Sequence, residues 1–158
     1  MDVEGVFSTK FNTQLMGLIG LYHKQQEAQF SNKVSVDLTD YFLNLLYESN
    51  GFFEAQAGAR LSEHSTYGSN WTYHINPSLY FNFDSVDLRF HASMSTAFIA
   101  PSLYKLFDTY SGNQSLKPET NQSFEIGTSL FFKNGGQFQL TYFNREHQNF
   151  VDYDMTSF

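Results

Sequence analysis

The chain has 158 residues, about one domain's worth. Its 16 acidic and 9 basic residues give 9 − 16 = −7, the wrong sign for a nucleic-acid-binding protein. The absence of cysteine excludes a disulfide framework, a thiolate metal site and a cysteine nucleophile.

Aromatic residues make up 18% of the chain and charged residues 16%, a composition too aromatic for disorder. The first eleven residues are acidic where a signal peptide is basic, and they lack an apolar h-region. No export signal is therefore expected in this chain, and if the protein is exported the chain is expected to be a piece of it. The longest apolar run, Leu15 to Tyr22, is far shorter than the roughly 20 residues of a spanning helix.

What dominates is a period of two. Strands are predicted at about 2–11, 14–26, 39–48, 52–62, 70–82, 86–98, 120–133 and 137–147. The first three alternate less cleanly than the rest. In the fourth, Phe53, Ala55, Ala57, Ala59 and Leu61 oppose Glu54, Gln56, Gly58, Arg60 and Ser62. In the fifth, Trp71, Tyr73, Ile75, Pro77, Leu79 and Phe81 oppose Asn70, Thr72, His74, Asn76, Ser78 and Tyr80. The sixth sets Val86, Leu88, Phe90, Ala92 and Met94 against Asp87, Arg89, His91, Ser93 and Ser95. The seventh sets Phe124, Ile126, Leu130 and Phe132 against Ser123, Glu125, Gly127 and Ser129. Pro77 interrupts the fifth, where it lacks an N–H for the ladder, and a bulge is expected to accommodate it.

Connections alternate between short and long. The short ones, Asn12-Thr13, Ser49-Asn50-Gly51, Phe83-Asp84-Ser85 and Asn134-Gly135-Gly136, contain residues that tolerate tight turns. The long ones are predicted at about 27–38, 63–69 and 99–119. An all-β, antiparallel up-and-down meander with short turns at one rim and long loops at the other fits an outer-membrane barrel. A soluble barrel, with its apolar face around a small ligand, has the same period. Two features favour a lipid-facing apolar side. Trp71, Tyr73 and Phe81 flank a stripe whose ten residues, tilted, project to roughly 25 Å, the height of an apolar membrane band. The opposite face holds Glu54, Arg60, His74, Asp87, Arg89, His91 and Glu125, which then line a wet lumen.

Candidate chemistry is sparse. The histidines His23, His64, His74, His91 and His147 form no metal-ligand spacing, although His74 and His91 share a polar face on adjacent strands. Glu63, His64 and Ser65 are consecutive, so their side chains point apart and make a poor triad. No catalytic residue, metal ligand or cofactor is assigned. The connection 99–119 is the best binding candidate, because it is longer than a turn requires. In it Tyr104, Phe107, Tyr110 and Asn113 combine aromatics with an amide, which suits a large, partly apolar ligand. The plainer reading is a loop that packs on its neighbours and closes the rim.

Several segments resemble TonB-dependent outer-membrane receptors. They are the run Ala59 to Gly68 (Ala59-Arg60-Leu61-Ser62-Glu63-His64-Ser65-Thr66-Tyr67-Gly68), the run Ser95 to Phe107 with its Phe98, Pro101, Leu103, Leu106 and Phe107, the Gly112-Asn113-Gln114-Ser115-Leu116-Lys117-Pro118-Glu119 stretch, and Phe150-Val151-Asp152-Tyr153-Asp154. Within that family the chain is most similar to the receptors for vitamin B12 (cobalamin). The resemblance implies an outer-membrane location, uptake of a scarce nutrient such as a corrinoid, and TonB as partner through a plug domain. Such receptors have roughly 22 strands around the plug. Residues 1–158 are therefore expected to be a partial barrel domain, with plug, signal peptide and terminal strands outside it. Asp152 to Phe158 reads as a loop cut short at the long-loop rim. A complete small outer-membrane barrel with a structural or adhesive role remains the other membrane reading.

Overall fold

The computed structural model describes residues 1–30 and 32–150. The loop expected at Asp152–Phe158, and most of the segment Phe150–Asp154, lie outside the described residues. Eight strands form one sheet in chain order, each antiparallel to its sequence neighbours. They are β1 (Asp2–Lys10), β2 (Leu15–Gln29), β3 (Lys33–Ser49), β4 (Phe53–His64), β5 (Gly68–Asn82), β6 (Val86–Ile99), β7 (Glu119–Phe132) and β8 (Gln137–Gln148). One short helix, α1 (Leu103–Phe107), lies between β6 and β7. The meander expected from the period of two is the observed fold.

The turns at one rim use the expected chemistry. Asn50 and Gly51 adopt positive φ of 38° and 78°, and Gly135 of 96°. Asn12 Oδ1 accepts the N–H groups of Gln14 and Leu15, both at 2.8 Å, which closes the β1–β2 turn.

At the opposite rim the expectation is corrected. The connection predicted at 27–38 shrinks to 30–32, and that at 63–69 to 65–67. Among the described residues the one long connection is 100–118. The reason is that hydrophobic alternation marks only the part of a strand with one apolar face. Beyond it, Glu27 pairs with Ser35 and Gln25 with Asp37. There Lys33, Ser35 and Asp37 stand on the face that is apolar farther along β3, while Val34 and the buried Val36 stand on the other, so the apolar parity changes face while backbone pairing continues.

Pro77 brings a second correction. No bulge accompanies it: β5–β6 partners have the same offset on either side, Ile75↔Met94 before and Ser78↔His91 after. The β4 side stays intact through Ala55↔Pro77. Tyr73, of the same parity, sends its N–H toward β6 and reaches Thr96 Oγ1 at 3.0 Å. The β5–β6 register is therefore unchanged across Pro77, where the ladder is interrupted, and the ladder ends at His74↔Ser95, beyond which the Tyr73 N–H goes to a side-chain oxygen.

Register aligns the apolar residues of every strand. One row runs Phe7, Ile19, Leu43, Ala59, Tyr73, and the next Gly5, Leu21, Tyr41, Leu61, Trp71. Across the sheet, Met94 meets Phe124, Ala92 meets Ile126, and Ile126 meets Tyr142. These side chains are exposed, Trp71 at 68% and Tyr142 at 64%. Buried side chains are instead mostly polar: Asp40, Ser62 and Ser129 at 6% and Ser78 at 7%. All four stand on the other face, where longer neighbours fold over them. Arg89 donates to Ser78 Oγ at 3.0 Å, and Tyr80 donates to Glu54 at 3.0 Å. The Arg60–Asp40 ion pair spans 3.7 Å. This face is not purely polar, since Leu18, Phe42 and Leu46 also stand on it. That is why β2 and β3 alternate less cleanly in sequence. A sheet with its polar side buried and its apolar side exposed is built for an apolar surrounding.

Adjacent positions on β5 discriminate the faces. Ile75→Arg puts a charge near the centre of the apolar stripe and is expected to cost about 2–4 kcal/mol, seen as loss of the heat-modifiable folded barrel. His74→Arg points into space beside Arg60 and Ser95 and is expected to leave most of the folded fraction. The reverse ranking would mean that the faces are exchanged.

Candidate functional site

The connection 100–118 is a self-supporting unit at the loop rim. Ser102 caps α1, its Oγ accepting the N–H of Lys105 at 3.3 Å. Leu106 points inward and is 4% exposed. After the helix, Asp108 Oδ2 accepts from the N–H of Tyr110, the N–H of Ser111 and the hydroxyl of Ser111 at 3.2, 3.0 and 2.8 Å. The bonds from Ser111, its hydroxyl first, hold the Asp108 carboxyl below the usual carboxylate range. Gly112 passes so close to the helix end that a Cβ there would sit 2.5 Å from the Asp108 carbonyl oxygen. The Asn113 N–H then returns to the Lys105 carbonyl at 2.9 Å.

Three contacts tie this unit to the rest of the rim. The Phe107 ring lies 6.3 Å from that of Phe30, at the end of β2. The Tyr67 hydroxyl, between β4 and β5, donates to the Leu116 carbonyl at 3.1 Å. Lys105 faces Glu119, the first residue of β7, at 3.8 Å. Partial burial raises the Tyr67 hydroxyl above its ordinary pKa, so it remains a donor at neutral pH.

The four candidate residues separate into two kinds. Tyr104 and Tyr110 are free to meet a ligand, 55% and 98% exposed. Phe107 leans on Phe30, and Asn113 Oδ1 accepts the Ser115 N–H at 2.9 Å and hydroxyl at 2.6 Å. These two shape the loop. Phe30 and Asp108 were not singled out in sequence, and Tyr67 and Leu106 only within the segments of the family resemblance, yet all four hold the loop in place. The one local signal for them is Asp108 followed by Ser111 and Gly112, a turn-forming pattern.

Other candidates are drawn apart. His74 pairs with Ser95 and His91 with Ser78, so the two histidines stand at different heights on the polar face. Among the described residues no three His, Asp or Glu side chains gather as metal ligands. Glu63 accepts from Ser69, Ser65 Oγ accepts from the Asp37 N–H, and His64 Nδ1 accepts the backbone N–H of Thr66 at 3.1 Å. Each of the three thus serves the β4–β5 connection. Below the rim, the polar wall holds a recess of about 280 Å³ whose lining includes Asn44, Arg60, Thr72, His74 and Ser95. Among the described residues the arrangement offers two exposed phenols above a polar wall.

Comparison with known proteins places this geometry. Residues 4–158 match the family model of the TonB dependent receptor-like β-barrel. The chain is 31% identical over 102 residues to the vitamin B12 transporter BtuB of Vibrio cholerae serotype O1, covering 65% of this chain and 16% of that protein. It is 30% identical over 112 residues to BtuB of Vibrio vulnificus, covering 68% and 17%. The fold matches the siderophore receptor PirA from Pseudomonas aeruginosa with a TM-score of 0.77 at 22% identity, over 92% of this chain and 30% of that one. The chain thus spans about a sixth of the length of the B12 transporters it matches.

The Tyr67 tether is testable. Tyr67→Phe removes one hydrogen bond, a net loss of about 0.5–1.5 kcal/mol. Amide exchange across 100–118 is expected to rise by about threefold to tenfold while exchange in β4 and β5 stays unchanged. Unchanged exchange in the loop would show that Leu116 is held by other contacts.

Proposed function

The chain belongs to the TonB-dependent receptor-like β-barrel family, and on that premise we propose that it forms a stretch of wall and outer rim in a transporter for a corrinoid such as vitamin B12. The likeness to vitamin B12 transporters across about two thirds of the chain is the observation that carries the corrinoid reading. In this reading the apolar face meets the lipid of the outer membrane and the polar face lines the lumen. The rim that carries 100–118 faces the outside, where ligand arrives. TonB is the energising partner and acts through a plug domain, drawing on the inner-membrane proton gradient.

Capture is physical and contains no catalytic step. Tyr104 and Tyr110 offer apolar ring faces and hydroxyls to a large ligand with an apolar body and an amide-rich edge. Phe107 and Asn113 act through the shape of the loop. Rings held on a capped helix and an aspartate-closed turn lose little freedom on binding, which favours affinity. Beneath them, Arg60, His74 and Asn44 present donors and acceptors along the wall.

The test is an equilibrium titration of cyanocobalamin, with a ferric siderophore in parallel, on the detergent-purified receptor that contains this wall. Saturable cobalamin binding is expected. Tyr104→Ala and Tyr110→Ala should each weaken it by about threefold to tenfold, the worth of one aromatic contact of about 0.5–1.5 kcal/mol. Siderophore binding with no cobalamin binding would overturn the corrinoid reading and leave the family assignment standing.

A further inference from the structure

One histidine at the loop rim holds more than its own turn. His64 ends β4, three residues beyond Leu61, where the apolar stripe stops, and it is 8% exposed. Its Nδ1 accepts the backbone N–H of Thr66 at 3.1 Å and that of Tyr67 at 3.4 Å. A backbone N–H can only donate, so this ring is neutral and carries its proton on Nε2. The centroids of the His64 and Tyr67 rings lie 5.0 Å apart. Tyr67 then donates its hydroxyl to the Leu116 carbonyl at 3.1 Å. One imidazole thus positions, by its nitrogen and by its ring, the tyrosine that ties the connection 100–118 to the β4–β5 connection.

Protonation acts on the nitrogen that does this. Imidazolium has a donor at both nitrogens, so an Nδ1–H would face two N–H groups that need an acceptor. The charged groups around it do not offset that loss. Its row holds Leu38 on β3 and Gly68 on β5, with Lys24 on β2 beyond Leu38. One row lower on the same face stand Tyr22 and Asp40, and Asp40 is engaged by Arg60 at 3.7 Å. Asp37 and Glu63 belong to the opposite parity, and Glu63 is held by Ser69. In the connection, Lys105 faces Glu119, Asp108 is bound to Ser111, and Lys117 is exposed. Burial alone moves the His64 pKa, and it moves it down.

We propose that His64 is a pH-sensitive latch: neutral, it holds Tyr67 on Leu116 and so the connection 100–118 on the rim, and protonated, it releases both. The fold favours the neutral ring. The tether is therefore whole above the ordinary imidazole pKa of about 6.5 and weakens as pH falls below it. The latch governs one of three ties, since Phe107 still meets Phe30 and Lys105 still faces Glu119. In acid the connection loosens, with Tyr104 and Tyr110 on it, while the strands stay paired.

This latch does not depend on which ligand the rim takes, and amide exchange in the ligand-free receptor that contains this wall tests it. Exchange is measured at about pH 7.5 and about pH 5, on either side of the imidazole range, each rate divided by that of the unstructured chain at the same pH. Across 65–67 and 100–118 protection is expected to fall about threefold to tenfold at the lower pH, the worth of one hydrogen bond. Protection from Phe53 to Leu61 and from Trp71 to Asn82 should hold. His64→Asn keeps an acceptor for the same N–H groups and cannot be protonated there. It should show equal protection at both pH values, with the heat-modifiable folded fraction unchanged. In Tyr67→Phe the segment 65–67 should still respond to pH and the connection 100–118 should not. A native receptor whose loop protection ignores pH would overturn the latch. So would a response that persists in His64→Asn, which would belong to another group, or one in 100–118 that persists in Tyr67→Phe. A response spread through every strand would report loss of the whole fold and would overturn it too.

Discussion

A strand that crosses a bilayer must hand every backbone N–H and C=O to a neighbouring strand, because the hydrocarbon offers no other partner. The other features of this sheet follow from that constraint. Pairing is nearest-neighbour from β1 to β8, with a constant offset in every ladder. Constant offset keeps all residues of one parity on one face, so a single face can be apolar across the whole sheet. Pro77 tests the constraint and is absorbed locally, since a bulge there would have exchanged the faces of half of β5. The free edges of β1 and β8 require strand partners for the same reason.

Burial inverts as a consequence. In a water-soluble sheet the buried set is apolar, whereas here Asp40, Ser62, Ser78 and Ser129 are buried and Trp71, Ile75 and Tyr142 are exposed. Buried polar groups must be hydrogen-bonded to be tolerated. Ser78 meets Arg89, and Glu54 meets Tyr80. Glycines on this face make room for the network. A Cβ at Gly58 would fall 2.2 Å from Asn44 Oδ1, and one at Gly127 would fall 2.6 Å from His91 Nε2.

What the sequence made legible, and what it hid, follows the same physics. Strands β4 to β7 could be read residue by residue, because lipid on one side and water on the other impose strict alternation. The outer parts of β2 and β3 could not, since Gln25 to Gln29 lacks alternation, the apolar Val34 and Val36 stand on the face opposite to that of Tyr41 and Leu43, and propensity alone is a weak guide. Pro77 misled because its cost depends on which neighbour its nitrogen faces, which only the register decides. In the loop, the aromatics Tyr104, Phe107 and Tyr110 were visible as a group. Their division into exposed and packed was not, because Phe107 is fixed by Phe30 from a remote strand. Asn113 reads equally well as a ligand group or a turn former, and its bonds to Ser115 show it serving the turn.

The central claim is that even positions of β5 face a wet lumen and odd positions face lipid. The chain has no cysteine, so single cysteines introduced from Asn70 to Asn82 can be spin-labelled selectively within it. Label accessibility in the receptor reconstituted into nanodiscs, to oxygen from the lipid side and to a polar nickel complex from the aqueous side, is the direct measurement. The account predicts oxygen maxima at 71, 73, 75, 79 and 81, with nickel-complex maxima at the even positions between them. Opposite phase, or no period of two, would contradict it.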